Sequence, residues 1–221
     1  MSYFKNAIKI KEMIAIETLA TLYMVGATAV VSGIVGIIIG IILSVSEEGG
    51  IMENKTLYSI LDKIVNIGRS IPFVIMVAIL VKFTRMLVGT AIGNTAAIVP
   101  LSVATIPFFA RQVQNALSGV DKGVIEAAQS MGFGPKDIIW SVYLPEARES
   151  LIRNSAVTII SLIGLTAMAG AIGAGGLGKV ALSYGHQRFN TDITLVCTVL
   201  ILLIVFIVQW VSDLIIRRLR H

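Results

Sequence analysis

Charge is scarce in this sequence: Asp, Glu, Lys and Arg make up 14% of its 221 residues, where an ordinary soluble domain carries roughly a quarter. With 56% of residues hydrophobic and a mean hydropathy of +0.87, a water-soluble fold of this length could not hide its apolar surface. Cysteine is nearly absent. The single Cys197 excludes an intrachain disulfide and leaves the redox compartment open. His186 and His221 are the only histidines, too few with one cysteine to form a metal-ligand cluster. No serine or cysteine stands in a recognisable nucleophile setting. The chain therefore reads as a non-enzyme without metal or cofactor of its own.

What is abundant is uncharged, apolar sequence. Residues 18–46, 86–110, 154–178 and 193–212 contain no charge, and each run is long enough to cross about 30 Å of hydrocarbon as helix. A fifth run is weaker because it carries Arg69 and Pro72 near its start. The expected spans are 18–46, 64–82, 86–110, 152–178 and 192–214. Net charge is +5, but the Lys and Arg residues lie between the runs rather than along one face. That pattern belongs to membrane-flanking cations and not to a nucleic-acid surface.

Residues 1–17 interleave Ile8, Ile10, Ile14 and Ile16 with Lys5, Lys9, Lys11, Glu12 and Glu17, which predicts a short amphipathic helix lying in the lipid interface. The apolar run after it is 29 residues long and ends in Glu47-Glu48-Gly49-Gly50, about twice a signal-peptide core and without a small-residue cleavage site, so it is expected to be retained. Residues 18–221 then form one transmembrane domain. Gly33, Gly36 and Gly40 in span one permit close helix approach. A polar loop near 47–63 and a tight connection at Lys82–Arg85 flank span two. Pro100 and Pro107 weaken span three locally.

The longest non-spanning segment is the polar stretch 111–150, far too short for an ATPase domain. Within it Asp121 can cap a helix running to Met131, with Val124, Ala128 and Met131 on one face and Gly132 as the stop. Gly134 and Pro135 start a second helix, which Leu144-Pro145 ends. The expected product is a pair of short helices joined at a glycine elbow, exposed between two spans.

Glu126-Ala127-Ala128, Gly132 four positions on, and Val142-Tyr143-Leu144-Pro145 resemble the EAA loop of the permease subunits of bacterial ABC importers, with Val142 where isoleucine is commoner. The resemblance widens in Asn66–Phe73, Ala96–Leu101, Pro107–Arg111 and Gly170–Gly178, which are similar to methionine-importer permeases. It fails at the lysine-rich N-terminus. It implies an all-α integral membrane protein of five transmembrane helices with a type I importer permease fold and a cytoplasmic coupling loop. Glu126, Ala127, Ala128, Met131, Gly132, Leu144 and Pro145 would dock on a separate ATPase that binds the ATP. The implied partners are a second copy of the chain, two ATPase subunits, an extracytoplasmic methionine-binding protein and membrane lipid.

With that loop cytoplasmic, the inner side holds 11 of the 18 Lys and Arg, in modest agreement with the positive-inside rule; the N-terminus lies outside and the C-terminus in the cytoplasm. Lys5, Lys9 and Lys11 oppose the rule. Span four, with Ser161, Gly164, Met168, Gly170 and Gly173, is a candidate pathway wall, and Met168 reads either as a gate or as gap-filling packing. Arg69 and Pro72 join that pathway set, Arg69 with interfacial anchoring as its other reading. Gly173-Ala-Gly175-Gly-Leu-Gly178 matches a dinucleotide fingerprint only in letters, because it closes an apolar helix instead of opening one after a strand. A permease for another small solute, or a membrane scaffold, are the competing functions.

Overall fold

The computed structural model describes residues 4–219. They form ten helical segments: α1 (Lys5–Lys9), α2 (Lys11–Ser46), α3 (Lys55–Ser70), α4 (Phe73–Val88), α5 (Asn94–Leu117), α6 (Lys122–Ser130), α7 (Pro135–Ile138), α8 (Leu144–Ala171), α9 (Gly176–Lys179) and α10 (Thr191–Leu219). Single π-helical stretches, Ile139–Tyr143 and Val180–His186, join α7 to α8 and follow α9. Four stretches are long and apolar enough to cross a membrane, and the number is five when the bent α3–α4 pair is counted as one broken span.

The N-terminal expectation is corrected. Only Lys5–Lys9 stands apart; Lys11 already belongs to the 36-residue α2, about 54 Å long at the α-helical rise. Nothing between Lys11 and Glu17 breaks a helix, and Ile14 is buried beside Leu177, Val180 and Ile193. The Asp192 carboxylate accepts from Asn6 N (2.9 Å) and Ala7 N (3.0 Å), tying α1 to the start of α10. Residues 1–3, Arg220 and His221 lie outside the described residues.

Span two is not one helix. α3 and α4 meet at 107°, because Pro72 lacks an amide hydrogen and drives Ile71 into extended backbone (ψ 121°). The helix beginning at Lys55 takes in much of the expected polar loop, with Asn54 capping Leu57 N at 3.0 Å. The expected connection at Lys82–Arg85 is helical instead. α4 runs on to Val88 and stops where Gly89 turns left-handed (φ +82°), the first residue there that can do so cheaply. Span three consequently starts at Asn94, and α5 carries Pro100 and Pro107 inside it.

Leu144-Pro145 does not end the second loop helix. Leu144 N–H donates to Ile139 O, one residue farther back than in an α turn, and this widened turn accommodates Pro145, so Pro135–Ala171 is continuous. Span four ends at Ala171 and not at 178. Gly173, Gly175 and Gly176 have φ of +100°, +96° and +79°, and the turn folds α9 back on α8 so closely that a Cβ on Gly178 would strike Ala167.

α2, α4, α5 and α8 enclose Met24, Phe73, Leu101, Leu162 and Ile163, with α10 packed outside. The periphery is apolar. Leu203, Phe206, Ile207 and Trp210 of α10 are exposed, the inverse of a soluble helix and the arrangement lipid requires. α6 and α7 cover one end of the bundle, the loop end, where α10 also finishes: Arg148 Nη2 donates to Leu219 O at 3.2 Å. α1 sits at the far end.

Candidate functional site

At the loop end, Asp121 Oδ1 accepts from Gly123 N at 2.6 Å and so starts α6. The helix is pinned through Ile125 and Ala128, which join Val113 and Leu117 of α5, Ile138 of α7 and Ala147 of α8 in one buried cluster. This corrects the expected face. Of Val124, Ala128 and Met131 only Ala128 is buried, because the i, i+3 pair Ile125–Ala128 sets the inward phase. Gly132 does stop the helix, at φ +85°, with Phe133 N donating back to Ala128 O at 3.1 Å. Leu144 packs half-buried against the same cluster, while Pro145 faces outward.

α6 presents Glu126 and Ala127, both exposed, and the same loop exposes Met131 and Trp140, each 70%, and Phe133. An acid set among exposed apolar side chains, on a helix braced from behind, is the composition of a protein-docking surface.

Below it lies a polar belt that sequence reasoning did not assemble. Arg111 pairs with Asp62 (2.5 Å) and donates to Gln114 Oε1 (2.6 Å) and Asn66 Oδ1 (3.1 Å). Glu47 accepts from Gln114 Nε2 (3.1 Å) and Ser118 Oγ (3.2 Å). The belt fastens the loop ends of α2, α3 and α5. The i, i+3 spacing of Arg111 and Gln114 was the one local signal; their other partners are 45 to 67 residues away in sequence.

Ser161, Gly164 and Met168 fall on one uncovered face of α8 together with Val157. Met168 is 45% exposed, and a Cβ on Gly164 would touch nothing. Gly170 is not part of this face. It is buried, and α9 lies against it. Ser161 also borders a cavity of about 400 Å³ at the α3–α4 break, walled by Gly68, Arg69, Ile71, Phe73, Ala104, Thr105, Phe108, Thr158, Leu162 and Leu165. Pro72 creates that break without lining the cavity. Arg69 is therefore brought together with Ser161, and Thr105, Phe73 and Phe108 are additions that local sequence did not mark.

The glycine turn at 173–178 has its amides engaged by this chain. Gly176 N donates to Glu17 Oε2 at 2.6 Å and Leu177 N to Thr21 Oγ1 at 2.8 Å, with Lys179 Nζ 3.3 Å from Glu17 Oε1. A carboxylate on those amides leaves no cradle for a phosphate, and close packing is what the glycines serve.

Residues 36–221 match the family model described as binding-protein-dependent transport system inner membrane component. A probable D-methionine transport system permease protein of Pasteurella multocida is 44% identical over 96% of this chain and 98% of its own length. A methionine import system permease protein of Bacillus subtilis is 50% identical over 79% of this chain and 78% of its own. Among solved structures, an inward-facing methionine ABC transporter, MetNI, superposes with a TM-score of 0.93 at 39% identity, covering 96% of this chain and 98% of that one.

Proposed function

The chain belongs to the binding-protein-dependent transport system inner membrane component family, and from that premise we propose that it is the permease subunit of an ATP-driven importer carrying methionine across the cytoplasmic membrane. Relatives named for methionine transport, matched along 96% and 79% of the chain, support the substrate. Two copies form the pathway, each contributing the uncovered Ser161–Gly164–Met168 face of α8. Five passages enclose little by themselves, and among the described residues this face is left uncovered. Met168 plugs the axis as the gate, the reading its exposure favours.

The observation that carries the mechanism is the braced α6. A separate ATPase, two copies per transporter, binds ATP and grips Glu126, Ala127 and Met131. Closure of the ATPases displaces α6, and the buried cluster hands the displacement to α5 and α8 because a close-packed core transmits strain instead of absorbing it. ATP hydrolysis belongs to that partner. The loop end lies in the cytoplasm with the C-terminus, and the N-terminus and α9 face outward, where an extracytoplasmic binding protein delivers substrate. Lys55, Lys63, Arg111, Lys122, Lys136, Arg148, Arg217 and Arg218 all sit toward the loop end, consistent with the positive-inside rule.

The permease reconstituted with its ATPase and binding protein is expected to concentrate labelled methionine into vesicles when ATP is on the loop side. Loss of uptake on deleting residues 126–132, with insertion retained, is the expected companion result. Uptake that survives the deletion, or that carries no methionine in the intact protein, defeats the proposal.

A further inference from the structure

With the loop end cytoplasmic, Lys5, Lys9 and Lys11 stand at the end of the bundle where the positive-inside rule disfavours cations, and transport as described above makes no use of them. All three are exposed, and none has an ion pair or side-chain hydrogen bond among the described residues. They are nevertheless held in place. The Asp192 carboxylate ties Asn6 N and Ala7 N to the start of α10, and Ala7 is buried in the cluster of Ile14, Leu177 and Ile193. Helix stability does not account for the charges: Lys11 opens α2, at the positive end of the helix dipole, where a cation is disfavoured.

A second element brings matching chemistry to the same place. Arg188 and Phe189 immediately precede the Asn190–Asp192 start of α10. The exposed Arg188 has no ion pair among the described residues, and its Cζ sits 4.6 Å from the centre of the Tyr184 ring. Phe189 is 92% exposed and, alone among the described non-glycine residues, has a positive φ, +57°, a conformation uncommon for a bulky side chain. The turn is pinned by Phe189 N donating to His186 O (3.1 Å), Asn190 N to Gly185 O (2.9 Å) and Asn190 Nδ2 to Tyr184 O (3.1 Å). It holds an aromatic ring clear of the protein, where a lipid interface favours such a ring and water does not.

The depth is that of lipid headgroups. Below this end α10 exposes the apolar stripe Leu195, Val199, Leu202 and Phe206. Leu195 lies about 5 Å below Asp192 at the helical rise, comparable to the roughly 5–7 Å headgroup layer on each side of a bilayer. Of the acids at this end, Glu17 is held by Gly176 N and Lys179, and Asp192 by α1. Glu12 is left as the uncommitted acid among the described residues, beside Lys5, Lys9, Lys11 and Arg188.

We propose that α1 and the turn at 187–190 form a binding site for the headgroup of an anionic phospholipid in the leaflet opposite the coupling loop. Lys5, Lys9, Lys11 and Arg188 meet the phosphate and its neighbouring anionic groups. Ile8 and Phe189 lie beside the acyl chains, and the lysine stems cover apolar surface while their ammonium groups reach the phosphate level. The Asp192 clamp makes the bound lipid part of the packing between α1 and α10.

The test places a bimane label on Ile8→Cys in the full-length chain in vesicles; Ile8 is exposed and the native Cys197 buried, so the label reports from α1. The vesicles are phosphatidylcholine containing either brominated phosphatidylglycerol or brominated phosphatidylcholine, whose bromines quench on contact. Half-maximal quenching by the anionic lipid is expected at a mole fraction at least about threefold lower than by the zwitterionic one. At about 1 M salt, where the Debye length falls to about 3 Å, the two curves should come together. Replacing Lys5, Lys9, Lys11 and Arg188 together by glutamine should also abolish the preference, while replacing the three lysines by arginine should keep it. If the glutamine variant fails to insert, the salt series decides alone. Equal quenching by the two lipids at low salt, or a preference that survives high salt or the glutamine variant, overturns the site. So does an absence of quenching by either lipid, which would leave α1 facing water as a surface for an acidic soluble protein.

Discussion

A Cβ on Gly40 would lie 2.5 Å from Val113 Cβ and 2.6 Å from Ala110 O, whereas one on Gly33 would meet nothing within 4 Å. The two glycines look alike in sequence, yet only Gly40 brings α2 against α5. Gly40→Ala should therefore lower the thermal stability of the detergent-solubilised complex by about 1–3 kcal/mol, the range for overpacking, and Gly33→Ala by less than about 0.5 kcal/mol. Equal melting temperatures for the pair would contradict this packing. Glu17 was read as an interfacial charge, but it holds Gly176 N and Lys179 at the far end. Its replacement by alanine leaves a mostly buried amide unanswered, and a loss of about 1–3 kcal/mol is expected. At Met168, truncation to alanine should raise ATP hydrolysis in the absence of substrate by opening the axis. Unchanged hydrolysis and unchanged uptake would dispose of the gate.

Among elements, the α6–α7 loop was the most legible. Its cap Asp121, its stop Gly132 and its restart at Pro135 are local devices, and local chemistry survives folding. Two points needed correction: the phase of α6, which depends on which side chains the ends of α5 and α8 cover, and the end of the second helix, which runs through Leu144-Pro145 into α8. Gly132 occupies the left-handed region, which costs a β-branched residue about 1–2 kcal/mol. Gly132→Val should accordingly distort the elbow and reduce both uptake and substrate-stimulated ATP hydrolysis, with membrane insertion intact. Full coupling in that variant would show that the elbow's geometry is dispensable. The α3–α4 break was not read from sequence: Pro72 was noted only as weakening a single span over 64–82, and the 107° bend and the cavity inside it come with packing on α5 and α8.

The whole molecule is apolar outside, fastened by polar belts at both ends, and uncovered along one face of α8. The proposed association of two copies through that face makes a direct prediction. Gly164→Cys should form a crosslinked dimer with a short bifunctional thiol reagent in membranes, while Phe206→Cys, on the outward face of α10, should not. Cys197 is buried and contributes no background. Crosslinking at Phe206 and none at Gly164 would put the interface elsewhere.

Composition and run length by themselves determined that the chain is a helical membrane protein of about five passages, because the hydrocarbon core sets a length and polarity that only such runs satisfy. The loop's helix starts and its glycine stop were likewise legible, since caps and stops act within a few residues. Tertiary structure alone decided the rest. It brought Arg111 to Asp62 across 49 residues, put Glu17 on the glycine turn, and set Arg69 beside Thr105 and Ser161 around one cavity. Such meetings depend on which faces of distant helices pack together, and hydrophobic periodicity states that a helix has a face without stating what lies against it.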